Sequence, residues 1–374
     1  MDPAAPVPPG ELVRRIEAKT KRKVTIETTQ DAERLARCCP QSESILYQLP
    51  KEIRDMIFQY ACTPSPHPQH PYKETAYYYR PGHTGRPKSY TSLLLTCRRV
   101  WLEAHALPMQ QAEHRFWLSR GPYDTLPHAD WAANTSNERT RYKSFLASLT
   151  DHSLAHVSHV TLYMQMVHAE PLRQPDKVAF FFPRESLERG FGPRVFCIGV
   201  RHSDFWDWEE GRPIGLDVGW VQAVLDSSAL GHVEEFRLEI EVEEEHADEL
   251  APILRHLRGL EGQPKSKENM VSAFLDANHF VCRDDPTVWT WTRSSRLDDT
   301  DWPVYASKPM LRLRVTTLVW RNTPCAPAQP AQGFTASPEA SPGPSPYRVR
   351  PHQRRGHPML VARSRAQRQR LRTG

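Results

Sequence analysis

VEEFRLEIEV, residues 233–242, alternates apolar and charged side chains along nearly its whole length. A period of two belongs to a strand whose faces meet different surroundings. Phe236, Leu238, Ile240 and Val242 are therefore expected on a core. Glu235, Arg237, Glu239 and Glu241 are expected on a solvated face, paired across strands with Arg312 and Arg314. The glutamates crowded at 234–245 need no catalytic reading under this alternation.

Further strand signals flank this one. His114–Ser119, Val157–Val167 and the dense apolar run Val195–Val200 precede it, and Leu311, Leu313 and Val315 alternate after it. Helical stretches are expected at about 138–149, 217–227, 246–257 and 267–277. The order predicts an α+β fold, with helices on one face of a mixed, largely antiparallel sheet.

Upstream, two amphipathic helices are expected. The first starts at Pro50, which suits the first helical position, and runs to about Ala61. Ile53, Met56, Ile57 and Tyr60 fall at i, i+3, i+4, i+7 and form one apolar stripe. The second runs from about Thr91 to Leu107, with a face of Leu93, Leu94, Cys97, Val100, Trp101 and Ala104, and Pro108 stops it. Between them, residues 63–89 hold six prolines, four tyrosines and three histidines. Tyr77-Tyr78-Tyr79 precedes the turn signal Arg80-Pro81-Gly82. This insert reads either as a surface loop packed by its own aromatics or as a recognition loop.

Leu49-Pro50-Lys51-Glu52-Ile53-Arg54-Asp55-Met56-Ile57 resembles the opening of an F-box, and Leu93-Leu94-Leu95-Thr96-Cys97-Arg98-Arg99-Val100-Trp101 resembles its later helix. The pair is also similar to a group of fungal proteins of unknown function that share an LPxEIRxxIxxYA and an LLLTCRxVxxEA core. The resemblance covers roughly 45–320. It implies a small helical bundle and docking on a Skp-type adaptor of a cullin ubiquitin ligase, with an unknown protein as substrate. The residues it puts at that contact are Leu49, Pro50, Ile53 and Ile57, with Trp101 as anchor. An F-box joins its helices compactly, whereas the insert stretches this unit. The alternative is that both helices are simply core.

The chain of 374 residues holds 34 prolines, nearly twice the usual share of about 5 %. Nine of them lie between Pro324 and Pro358, in a stretch too poor in apolar residues to offset ordering entropy. From Ser341 to Gly374 there are nine arginines and no Lys, Asp or Glu. Arg354, Arg355, Arg363, Arg365, Arg368, Arg370 and Arg372 form its densest part. Such a tail suits an acidic partner, and nucleic acid is the second functional reading. The rest of this +5 chain is mildly acidic. The expected organisation is an arm at 1–43, a helical segment at 44–117 containing the insert, an α+β body at 118–321 and a Pro-rich linker with its tail at 322–374.

No apolar run approaches the roughly 18 residues of a membrane span, and Met1-Asp2-Pro3 does not open a secretory leader. The seven cysteines are scattered without a C-x-x-C pair. That suits reduced thiols in the nucleus or cytoplasm. There is no phosphate-loop, dinucleotide, nucleophile-elbow or H-E-x-x-H motif, so no catalytic residue, cofactor or metal is assigned. His152, His156 and His159 would share a helical face, but Val157–Val160 reads as strand onset. Trp206, Trp208 and Trp220 either cover the sheet end or line a pocket for a ligand or peptide. The oligomeric state is not legible.

Overall fold

A computed structural model describes residues 30, 32–118, 121–122, 142–205, 214–262, 279–295 and 310–323. The arginine tail, Trp206, Trp208 and the helix expected at 267–277 lie outside these residues. The fold is α+β. Among the described residues no helix is long and apolar enough to cross a membrane.

The helical segment comes first. Helix α1 spans Lys51–Cys62 and helix α2 Arg98–Ala104, with α3, Leu107–Gln111, directly after it. The single helix expected from Thr91 to Leu107 is broken. Ser92–Leu95 is a 3-10 turn, and Cys97 adopts an extended conformation, its Sγ accepting from the Val100 amide. Pro108 does not stop this run: it sits in the first turn of α3, where its missing N–H costs nothing. The insert is not an irregular loop, because β1 (Ser65–Pro71) and β2 (Gly85–Lys88) pair antiparallel within it.

Among the described residues the main sheet has seven strands: β3 (Glu113–Trp117), β4 (His159–Tyr163), β5 (Val195–Val200), β6 (Glu235–Glu243), β7 (His279–Val281), β8 (Thr287–Ser294) and β9 (Met310–Thr323). Its order is β3-β4-β5-β6-β9-β7, and β8 also pairs with β9. The sheet is mixed, as expected, but its first half is not antiparallel. The β3–β4, β4–β5 and β5–β6 pairs are all parallel, and only the pairs made by β9 are antiparallel. Long crossovers cause the difference, since each parallel step must return the chain over a sheet face. Those returns include 142–148, α4 (Gly219–Leu225) and shorter helical turns, with α5 (Ala247–Arg258) following β6.

The returning helices pack on one face. Val160 and Leu162 of β4, Phe196 and Ile198 of β5, and Phe236, Leu238 and Ile240 of β6 meet Tyr142, Leu146, Trp220, Val224, Leu250 and Leu257 there. The alternation at 233–242 thus places its apolar set on the main core. The body does not start at 118, because β3 already forms the sheet edge. A separate small core of Phe58, Cys62, Leu94, Val100 and Ala104 holds the helical segment together.

Candidate interaction surface and the buried charge cluster

Helix α1 turns its apolar stripe outward. Ile53 is 43 % exposed, Met56 63 %, Ile57 39 % and Tyr60 87 %. Leu95 of the 3-10 turn is 82 % exposed and Trp101 of α2 43 %. Leu49 is half-buried and Pro50 exposed. All five residues expected at a partner contact are therefore accessible. The other side of α1 faces the small core through Phe58 and Cys62.

Charged residues of the two motifs hold the segment in this pose. Buried Arg54 donates through Nη1 to the Leu49 carbonyl (2.7 Å) and through Nε to Glu103 Oε2 (3.3 Å). Arg99 Nε reaches the other Glu103 oxygen at 3.2 Å. Both guanidiniums lie over the Tyr47 ring. A column of rings then links α2 to the body: Trp101 stacks on His105 (4.4 Å between centroids), and His105 on His152 (4.8 Å). His156 adjoins His152, but His159 opens β4, so the three histidines do not share a helical face. Among the described residues no group of His, Cys, Asp and Glu is arranged to hold a metal.

The second face of the sheet is only partly solvated. Its C-terminal end is sealed by Ala76–Arg80 of the insert. Tyr77 is buried, its hydroxyl bonded to Asp204, and its ring lies 3.7 Å under the Arg201 guanidinium. Arg201 Nη1 donates to the Tyr77 carbonyl, and Arg293 Nη2 to that of Ala76 at 3.2 Å. Arg80 pairs with Glu239 and donates to the Tyr163 hydroxyl at 2.8 Å. Gly199 makes room for this layer, since a Cβ there would lie 2.5 Å from the Tyr163 ring.

Glu241 is the centre of the cluster rather than a surface acid. It is buried, its Oε1 2.9 Å from His202 Nδ1 and its Oε2 3.1 Å from Trp291 Nε1. Burial pushes its carboxyl up, but the His202 hydrogen bond and the Arg80 and Arg201 charges outweigh that and hold it at about 2. Burial holds His202 below its ordinary value, against the Glu241 hydrogen bond and charge that raise it. Burial also raises Asp204 well above the carboxylate range. The guanidiniums of Arg201 and Arg293 are both pushed down to about 10, first by burial. The expected partners Arg312 and Arg314 are elsewhere: Arg312 is exposed, and Arg314 lies 3.8 Å from Glu244.

Trp220 belongs to neither site. It is fully buried in the helical-face core, which leaves it no surface for a ligand. The charge cluster was not legible as a site, because its members come from 76–80, 163, 201–204, 239–241 and 291–293. The run of three tyrosines ending in Arg80 was its one local signal. No protein-family model matches the chain, and no curated protein or solved structure matches it either.

Proposed function

We propose that the chain is a non-catalytic protein–protein interaction module, an F-box-like adaptor that carries a Skp-type subunit of a cullin ubiquitin ligase on its helical segment. The outward apolar stripe of α1, with Leu95 and Trp101, carries this reading. Apolar side chains clustered on a surface lose free energy in water and mark contact sites. Leu49, Pro50, Ile53 and Ile57 supply the edge of the contact, and Trp101 its aromatic anchor. The α+β body is then the part that selects a protein substrate.

Titration of a purified Skp-type adaptor into the full chain tests the proposal. Ile57→Asp should weaken binding by at least about tenfold, one buried aliphatic contact being worth more than 1.4 kcal/mol, while the melting midpoint stays put. Absence of binding by the unsubstituted chain overturns the adaptor reading. A second reading rests on the nine arginines of 341–374. Under it the chain binds nucleic acid, with an affinity that falls steeply with salt and disappears when those arginines are replaced by glutamine.

A further inference from the structure

A cleft of about 600 Å³ opens between the helical residues 142–148 and the segment 180–189. That size falls within the roughly 300–1,000 Å³ of small-molecule sites. The two walls are tied to each other. The Tyr142 hydroxyl donates to the Phe181 carbonyl at 2.7 Å, and both rings are buried in the main core. Arg189 Nε donates to Asp151 at 2.8 Å, and its Nη1 and Nη2 donate to the Leu146 and Leu149 carbonyls. The cleft is therefore preformed, and a ligand need not order its walls.

Ala147, Phe180 and Pro183 give the lining an apolar part, and four charged side chains complete much of the rest. Two of the four are already answered: Arg184 pairs with Glu188 at 2.9 Å, and Arg189 with Asp151. Lys143 and Glu185 are left over. Lys143 Nζ lies over the Phe180 ring, 4.6 Å from its centroid. Among the described residues neither Lys143 nor Glu185 has a partner of opposite charge, and although their own charges are opposite they do not pair with each other. They belong to different walls. Ser186 adds a hydroxyl to the lining. It is 6 % exposed, and among the described residues that hydroxyl makes no hydrogen bond, whereas buried hydroxyls nearly always do.

We propose that this cleft binds a small zwitterion with an apolar body, an apolar α-amino acid or its dipeptide. Lys143 takes the carboxylate and Glu185 the ammonium, each through a charge-assisted hydrogen bond. The Ser186 hydroxyl donates to the first or accepts from the second. Phe180 and Pro183 cover the apolar body. Held against the face of Phe180, the Lys143 ammonium still keeps donors for a carboxylate. A ligand of one charge satisfies only one wall. The site shares no residue with the apolar stripe of α1 or with the seam between the insert and the sheet.

Isothermal titration of the full chain with L-leucine and with L-leucyl-L-leucine tests the site, and the tighter of the two fixes the ligand's length. Its amide-capped form, which lacks the carboxylate, and its N-acetyl form, which lacks the ammonium, should each bind at least about tenfold more weakly. Lys143→Gln should weaken the free zwitterion by a similar factor and leave the amide-capped form unchanged. Glu185→Gln should do the same with respect to the N-acetyl form. Both side chains are exposed, so neither change should move the melting midpoint. A merely structural effect would instead weaken free and capped ligands alike. No binding of either zwitterion, capped forms that bind as tightly as the free ones, or variants that bind the zwitterion as the parent does would overturn the site.

Discussion

Helix α1 and strand β6 invert each other. On α1 the apolar stripe lies outside, and an arginine of the same helix, Arg54, lies inside. On β6 the charged row runs from half-buried Glu235, Arg237 and Glu239 to fully covered Glu241. Periodicity reports that an element has two unlike faces, not what covers each of them. Water covers the apolar face of α1, whereas the insert covers the C-terminal end of the charged face of β6. The first arrangement leaves unused contact free energy, and the second demands that every charge find a partner.

The largest effect should come from opening the covered charge cluster. Glu241→Ala strands His202 and Trp291 Nε1 without their acceptor and removes a carboxylate that offsets the Arg80 and Arg201 charges. Breaking one partner of a buried ionic network costs about 3–5 kcal/mol. Urea unfolding should show that loss, while Glu234→Ala, an exposed acid paired with Arg194, should cost under about 1 kcal/mol. Equal losses would mean that the insert does not cover β6 in solution.

On the helix, Phe58→Ala should cost about 3–5 kcal/mol, because its ring is fully enclosed in the small core. Its neighbour Ile57 is the contrast, being part of the open stripe. Gly199→Ala should cost roughly 1–3 kcal/mol through overpacking against Tyr163, and Tyr163→Ala in the same chain should relieve part of that strain. A Gly199→Ala variant as stable as the parent would show that the Tyr163 ring does not lie across the strand.

The pH dependence separates the seam from the helical segment. Burial first, then the Arg115 and Arg80 charges, holds His83 at about 3 against an ordinary 6.5. The unfolded chain takes up that proton below pH 6.5, and the folded chain does so only near 3. Stability from His83 is therefore full above 6.5 and is lost as pH falls toward 3. Glu113 and Glu241, both held at about 2, add losses only below about 4.5. Between pH 6.5 and 4.5 the stability of His83→Gln should fall less steeply than that of the parent, measured by urea unfolding at stepped pH. Parallel slopes would place His83 in contact with solvent.

How much was legible follows the same division. Local patterning located β3, β4, β5, β6 and part of β9, and it assigned Phe236, Leu238 and Ile240 to the core. It also contained β8, whose Thr287-Val-Trp-Thr-Trp-Thr run is rich in strand formers, though that run was not read as a strand. Parallel pairing was not legible, since it depends on where the crossovers return. The seam was not legible either. Tyr77 meets Asp204 across 127 positions of chain, and no local period encodes such a contact. The residues of the apolar stripe were legible through the two motifs, but their exposure was not. An i, i+3, i+4, i+7 stripe looks the same whether it faces a core or a partner.

The smallest expected effect is the sharpest test of the inversion. Tyr60→Asp and Met56→Asp place a charge on the apolar stripe of α1. If that stripe were core, each would cost several kcal/mol, because a buried unpaired carboxylate is among the most damaging changes available. With side chains as open as these, each should shift stability by no more than about 0.5 kcal/mol. Solubility should rise, since apolar area is traded for charge. Urea midpoints unchanged beside a large loss for Phe58→Ala would establish that two turns of one helix face different surroundings. A loss of several kcal/mol in both charged variants would instead turn the stripe inward and remove the surface on which the adaptor reading rests.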